Sequence, residues 1–311
     1  MHKENNINLR FYGEVGSFSI PMQQVGLGIL LVFLSAFGFG LMPIFALFAY
    51  RGGVNVVTLL FLRFFIAAIC FLVYLLARRT RWHVSRRSLA SLFILGSILY
   101  SVQSMFYFSA VQYIPASLAA LILYLYPVLV ALLAAVVEKE QISLQMVAAA
   151  VVSLVGIAVV LGAPLDQLDG GGMALAFGAA LVYSVYITLG RRVVADVPAV
   201  VTSALVAAFA ALSFLLFGSA TQSLVFDISW STWVVILGVV AFSTLLAMAA
   251  FFGGMERIGA TRASILSTVE PVITIAFSAL LLGESFTWIQ AGGAMLVLAA
   301  AACVISQGRQ G

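Results

Sequence analysis

Ile114-Pro115-Ala116-Ser117, then Tyr126-Pro127-Val128, then Glu140: this order returns about 144 residues later as Ile258-Gly259-Ala260-Thr261, then Glu270-Pro271-Val272, then Glu284. A second echo sets Ala36-Phe37-Gly38 against Ala176-Phe177-Gly178, about 140 residues apart. The chain therefore reads as two homologous halves, 22–162 and 171–305, behind a tail of residues 1–21. Repeats of this kind in an apolar chain are the architecture of secondary transporters. The halves are inverted when each holds an odd number of membrane spans.

The background is apolar enough for that reading. Hydrophobic residues make up 64% of the 311, and Asp, Glu, Lys and Arg together only 8%. So few charges cannot cover a water-soluble domain, which leaves a polytopic, all-α membrane protein. The net charge of +4 does not point to nucleic acid, because the basic residues stand at the ends of apolar runs, where they anchor and orient helices. Cys70 and Cys303 fall within such runs and read as small buried hydrophobes, with neither a disulfide nor a metal site expected.

Ten apolar segments follow: 25–48, 56–77, 89–111, 117–137, 144–161, 173–189, 200–217, 230–253, 260–282 and 288–305. Most approach the roughly 20 residues that cross about 30 Å of hydrocarbon; segments 5, 6, 7 and 10 are short. Helices are required, because lipid cannot satisfy backbone polar groups and the runs lack the alternation of a membrane barrel. With the N-terminus in the cytoplasm, nearly every Lys and Arg falls on the cytoplasmic side. Arg51 alone is clearly outside, and Arg63 lies within segment 2. Five spans per half then make the repeats inverted, with both termini cytoplasmic.

The segments also carry motifs. Leu125 through Glu140 is followed by Ser153-Leu154-Val155-Gly156. Val269 through Glu284 is followed by Gln290-Ala291-Gly292-Gly293-Ala294, and segment 2 holds Leu60-Phe61-Leu62-Arg63-Phe64. On these the chain resembles, over nearly its whole length, the EamA family of the drug/metabolite transporter superfamily. Lys139 and Pro115 depart from glycines common there. The resemblance implies a transporter of amino acids, other metabolites or toxic compounds, and does not choose among them.

Glu270 is the sharpest site candidate. It falls about ten residues into segment 9, near the bilayer centre. A charge there costs about 2.5–3.5 kcal/mol on insertion scales and usually faces a cavity or a partner. Pro271 removes a backbone donor and so frees the carbonyl of Ser267, leaving a broken helix at midplane, where transporters coordinate substrate or protons. The bland alternative is a carboxyl held by Ser267 and Thr274. Arg63 could take a substrate carboxylate, pair with Glu270, or serve structurally at helix-end carbonyls; the last is favoured, since the family motif itself carries it. Ser97, Tyr100, Gln103, Ser104 and Tyr107 form a polar stripe on segment 3, lining a cavity or bonding a neighbouring helix. Tyr124 and Tyr126 on segment 4 and Tyr183 and Tyr186 on segment 6 lie deeper than interfacial tyrosines normally do, which suggests a polar, aromatic pocket or packing with satisfied hydroxyls. Segments 3, 4, 6, 8 and 9 are expected to line it. Pro43, Pro127 and Pro271 are kink points and hinge candidates. Glu140 and Glu284 read as structural, at helix starts beside the caps Ser143 and Thr287.

No enzyme is expected, and no catalytic residues, cofactor or metal: His2 and His83 both lie at cytoplasmic ends. The predicted function is alternating-access export of an amino acid or related compound across a bacterial inner membrane. The alternatives are a multidrug or toxic-compound exporter, and a non-transporting sensor or scaffold. Partners would be a small-molecule substrate and the bilayer, without nucleic acid. Proton coupling through Glu270 and facilitated diffusion both remain open, as does the oligomeric state. The topology has a direct check. Reporter fusions after Gly311 and within 163–171 should report opposite sides of the membrane, and a periplasmic C-terminus would break the inverted-repeat reading.

Overall fold

The computed structural model describes residues 6–8, 19–79, 84–114, 119, 122–137, 143–161, 169–282 and 287–307. Apart from a short antiparallel pair, β1 (Asn6–Asn8) with β2 (Ser19–Pro21), the described elements are helical. Among the described residues, six helices are long and apolar enough to cross a membrane: Gln23–Arg51, Val56–Ala77, Arg86–Ala110, Gly170–Val194, Ala199–Ala220 and Trp230–Ile258. Tyr126–Val137, Leu144–Gly156 and Ala291–Ala300 are shorter apolar helices. Segments 6 and 7, which read as short, are helices of 25 and 22 residues. Their ends carry Gly170–Gly172, Arg191, Arg192 and Ser219, which are helical without being apolar.

Helix starts are written in the sequence as caps. The side chains of Asn55, Ser85, Asp169 and Ser229 accept hydrogen bonds from the backbone N–H three residues on, at 2.9, 3.0, 2.7 and 3.3 Å. Ser143 likewise accepts from Met146 N–H at 3.2 Å, whereas Glu140 and Glu284 lie outside the described residues.

The helix pairs respect the repeat. Segment 1 packs on segment 8 and segment 6 on segment 3; segment 4 packs on segment 6 and segment 9 on segment 1. Segments 2 and 7 pair with each other, as do 5 and 10. Advancing every segment number by five maps this set onto itself. The echo Ala36-Phe37-Gly38 and Ala176-Phe177-Gly178 marks two equivalent close approaches. A side chain at Gly38 would run into the Phe242 carbonyl of segment 8. One at Gly178 would meet the Phe106 ring of segment 3, 2.9 Å away. Glycine is needed because the facing backbone or ring occupies the space of a Cβ.

Polarity is distributed inside out. Arg63, Thr58, Ser243 and Thr244 are buried, while Val136 and Leu280 stand 78% and 77% exposed on the outer surface. That suits a bundle whose solvent is hydrocarbon. Cys70 and Cys303 are on this exposed surface, not buried as their apolar setting suggested: hydropathy cannot tell lipid-facing from core positions.

All three hinge-candidate prolines stand at the second position of a helical segment: Met42-Pro43 begins α2 (Met42–Arg51), Tyr126-Pro127 begins Tyr126–Val137, and Glu270-Pro271 begins Glu270–Leu282. The missing N–H costs nothing there. Two features were not legible. Segments 3 and 8 each contain a wide π-helical turn, Ile94–Tyr100 and Ala241–Leu246. These occupy corresponding places in the two halves.

The close approach at Gly38 should be testable. Gly38→Ala is expected to lower thermal stability in detergent, at a cost of about 1–3 kcal/mol for overpacking. Gly26→Ala on the same helix, where nothing lies within 4 Å, should leave it unchanged. Equal stability of the two variants would refute the packing account.

Candidate functional site

Arg63 lies two turns inside the helix that Asn55 caps, and its side chain is only 1% exposed. A buried guanidinium must place its N–H groups on acceptors, and here the two wide turns provide them. Nε donates to Thr244 Oγ1 at 2.8 Å. One terminal nitrogen donates to the Ser243 carbonyl at 3.1 Å and the Tyr100 hydroxyl at 3.2 Å. The other meets Met42 Sδ at 3.0 Å, and the guanidinium carbon lies 4.8 Å from the Phe64 ring centre. Ser243 and Thr244 belong to the turn of segment 8, and Tyr100 closes that of segment 3. Arg63 thus bridges the two halves. Of the roles open to it, contact with a backbone carbonyl is present; direct pairing with Glu270 is not, because the guanidinium's contacts are with neutral groups.

Glu270 follows a change of helix type. Ser267–Val269 is a 3-10 turn, and the Ser267 carbonyl that Pro271 cannot serve accepts the Glu270 N–H instead. The hydroxyls expected to hold the carboxyl are committed elsewhere. Ser267 Oγ donates to the Ala263 carbonyl at 2.9 Å, and Thr274 Oγ1 to the Gly40 carbonyl at 2.8 Å. The Tyr124 side chain lies close to this carboxyl. Unlike Arg63, Glu270 is only partly buried.

Tyrosines cluster near both ionisable groups. Tyr100, Tyr107, Tyr124, Tyr126 and Tyr183 all lie close enough to Glu270 to feel its charge, and Tyr100 also feels Arg63. Their rings form a continuous ladder. Tyr124 meets Tyr126 at 6.0 Å between centres, Tyr126 meets Tyr183 at 4.8 Å, Tyr183 stacks on Tyr186 at 5.7 Å, and Tyr186 stacks on Tyr100 at 4.9 Å. Segments 3, 4 and 6 meet on this ladder, with Phe64 of segment 2 at its end, 5.3 Å from Tyr100.

The polar stripe of segment 3 is divided by its π turn. Tyr100 and Tyr107 join the cluster, but Ser97 bonds helix to helix: its hydroxyl donates to the Phe209 carbonyl at 3.3 Å, and Ser213 donates to the Ser97 carbonyl at 3.1 Å. Gln103 is buried, with Ser104 Oγ 3.4 Å from its side-chain oxygen. Sequence reasoning missed Ser243 and Thr244, because a π turn has no residue signature, and Tyr50, which lay beyond the assigned end of segment 1. No three His, Cys, Asp or Glu side chains gather among the described residues. The arrangement offers a guanidinium, a carboxyl, hydroxyls and aromatic faces, a set suited to binding and not to bond cleavage.

The model of the EamA-like transporter family matches twice, over residues 26–162 and 170–306. An uncharacterized transporter of Archaeoglobus fulgidus is 26% identical over 76% of this chain and 84% of its own. A probable amino-acid metabolite efflux pump of Salmonella typhimurium is 29% identical over 63% and 70%. An aromatic amino acid exporter of Ancylobacter novellus is 32% identical over 54% and 60%. A crystal structure superposes with a TM-score of 0.77 at 23% identity, covering 92% of this chain and 98% of that one, and shares the fold. With the repeat, the apolar helices and two family matches that together span most of the sequence, the chain belongs to the EamA-like transporter family: a multi-pass membrane protein that acts on a small molecule.

Proposed function

We propose that this transporter exports an amino acid or a closely related amphipathic compound across a bacterial inner membrane. It would do so by alternating access of two inverted five-span halves, 22–162 and 171–305, with both termini in the cytoplasm. The observation that carries the substrate class is that Arg63 and Glu270 both lie near Tyr100, at one end of a ladder of tyrosines. An α-amino acid has the matching polarity. Its carboxylate complements a guanidinium, its ammonium complements a carboxyl, and its side chain lies against aromatic faces. Two relatives with amino-acid efflux or export in their names support the same reading. A phosphorylated solute would call for several deep basic groups, whereas Arg63 is the one basic residue well inside an assigned segment.

Within this reading Glu270 receives the ammonium or a proton, beside Tyr124. Pro43, Pro127 and Pro271 are the proposed flexing points, since each begins a helix at an existing break.

The decisive measurement is initial-rate amino-acid flux in proteoliposomes across a pH series, at matched protein amount. Glu270→Gln keeps the size and much of the hydrogen bonding of the carboxyl but can neither ionise nor attract an ammonium. It should insert and fold normally and lose at least about tenfold in rate, the scale of one charge-assisted hydrogen bond, together with any pH dependence of the wild type. Wild-type rates with an unchanged pH profile would make Glu270 structural and remove this mechanism.

A further inference from the structure

A cavity of about 370 Å³ opens beside the Arg63 end of the tyrosine ladder. Its walls include Met42, Ala46 and Leu47 of α2, Val56 at the start of segment 2, and Phe108 of segment 3. It is mostly apolar and lies at the lower end of the roughly 300–1,000 Å³ of small-ligand sites. Two of its residues also belong to the candidate site. Met42 touches the Arg63 guanidinium through its sulfur, and Tyr107 lies within electrostatic reach of both Glu270 and Tyr50. Tyr50, also in the wall, carries a buried hydroxyl with no hydrogen-bond partner. Its neighbours in the fold satisfy theirs: Tyr100 accepts from Arg63, and Tyr126 donates to the Ser264 carbonyl at 3.4 Å.

We infer that this cavity is the side-chain subsite of the transported amino acid, and that Tyr50 reads the tip of that side chain. The inference rests on the amino-acid reading above and sharpens it. A substrate headgroup near Arg63 and Glu270 would lie against Met42 and Tyr107, which are also walls of the cavity. Small side chains leave the cavity empty and the Tyr50 hydroxyl orphaned. A bulky, mainly apolar side chain with a hydrogen-bonding tip, as in tyrosine or tryptophan, fills the one and satisfies the other. A lipid acyl chain could fill the space but has no partner for the hydroxyl.

The test measures initial rates for alanine, phenylalanine and tyrosine with full-length protein in proteoliposomes. Ala46→Phe, which fills the cavity from a buried wall position, should cut the tyrosine-to-alanine rate ratio at least about tenfold, with Ala46→Leu intermediate. Tyr50→Phe should lower the tyrosine-to-phenylalanine ratio several-fold, with phenylalanine transport retained. Alanine flux reports folding in each variant. Equal loss for all three amino acids, or unchanged ratios, would overturn the subsite while leaving amino-acid transport standing. Unchanged ratios with loss of a co-purified lipid from Ala46→Phe would assign the cavity to lipid instead. Absence of any amino-acid flux in the wild type would overturn both the subsite and the function it rests on.

Discussion

A guanidinium cannot be left unsatisfied in the interior of an apolar bundle, and much of the central architecture follows from how Arg63 is satisfied. Each N–H without an acceptor would cost about 1–3 kcal/mol, more for a charged group. In a regular α-helix each carbonyl already accepts the N–H four residues on and has only its second lone pair to offer. The wide turn at Ala241–Leu246 is where the Ser243 carbonyl becomes available, and the one at Ile94–Tyr100 sets the Tyr100 hydroxyl opposite it. Such turns are frequent at functional sites. Here they let one residue of segment 2 join segment 3 of its own half to segment 8 of the other.

The same economy governs the helix breaks. Segment 1 is interrupted at Leu41 and segment 9 at Ser267–Val269, and the two interruptions lie against each other. Thr274 donates to the Gly40 carbonyl, and a side chain at Gly40 would meet the Glu270 carbonyl at 3.0 Å. Neighbouring hydroxyls and turns thus supply partners that proline and the breaks remove, as irregular backbone at membrane depth requires. Glu270 is left at a place where backbone geometry changes, beside a tyrosine ladder that contributes contact area with few rotatable bonds. A site built this way keeps Glu270 at a helix break and Arg63 within a helix, beside a row of rings.

Hydrophobic burial does not choose the packing inside a membrane, because lipid tails are as apolar as leucine. The contacts that do choose it are visible here as small residues and hydroxyls. Gly38 and Gly178 let helices approach. Ser243 donates to the Gly38 carbonyl at 2.7 Å, and Thr268 reaches Ser153 at 3.2 Å, between segments 9 and 5. The candidate site and the helix packing therefore draw on the same residue types. This is why segment 3 could carry one stripe with two jobs, Ser97 joining helices and Tyr100 and Tyr107 joining the site.

The fold was legible because its determinants are one-dimensional. The apolar runs, the caps at Asn55, Ser85, Asp169 and Ser229, the prolines and the internal repeat all act through local chain chemistry or hydropathy. Much of the membership of the candidate site was legible too, since Arg63, Glu270 and deep tyrosines are expensive in lipid and announce themselves. What they touch was not. That Ser267 and Thr274 donate to the Ala263 and Gly40 carbonyls, that Arg63 is answered by Ser243 and Thr244, and that Cys70 faces outward depend on helix rotation and on two π turns. Contacts 37 to 181 residues apart join Arg63 to Tyr100 and Thr244. The sequence alone determined a repeated, membrane-spanning helical transporter with an ionisable pair in its interior. The tertiary structure decided which neutral groups partner Arg63 and which tyrosines gather near Glu270, because side-chain partnership depends on how helices turn toward one another, and hydropathy does not encode that rotation.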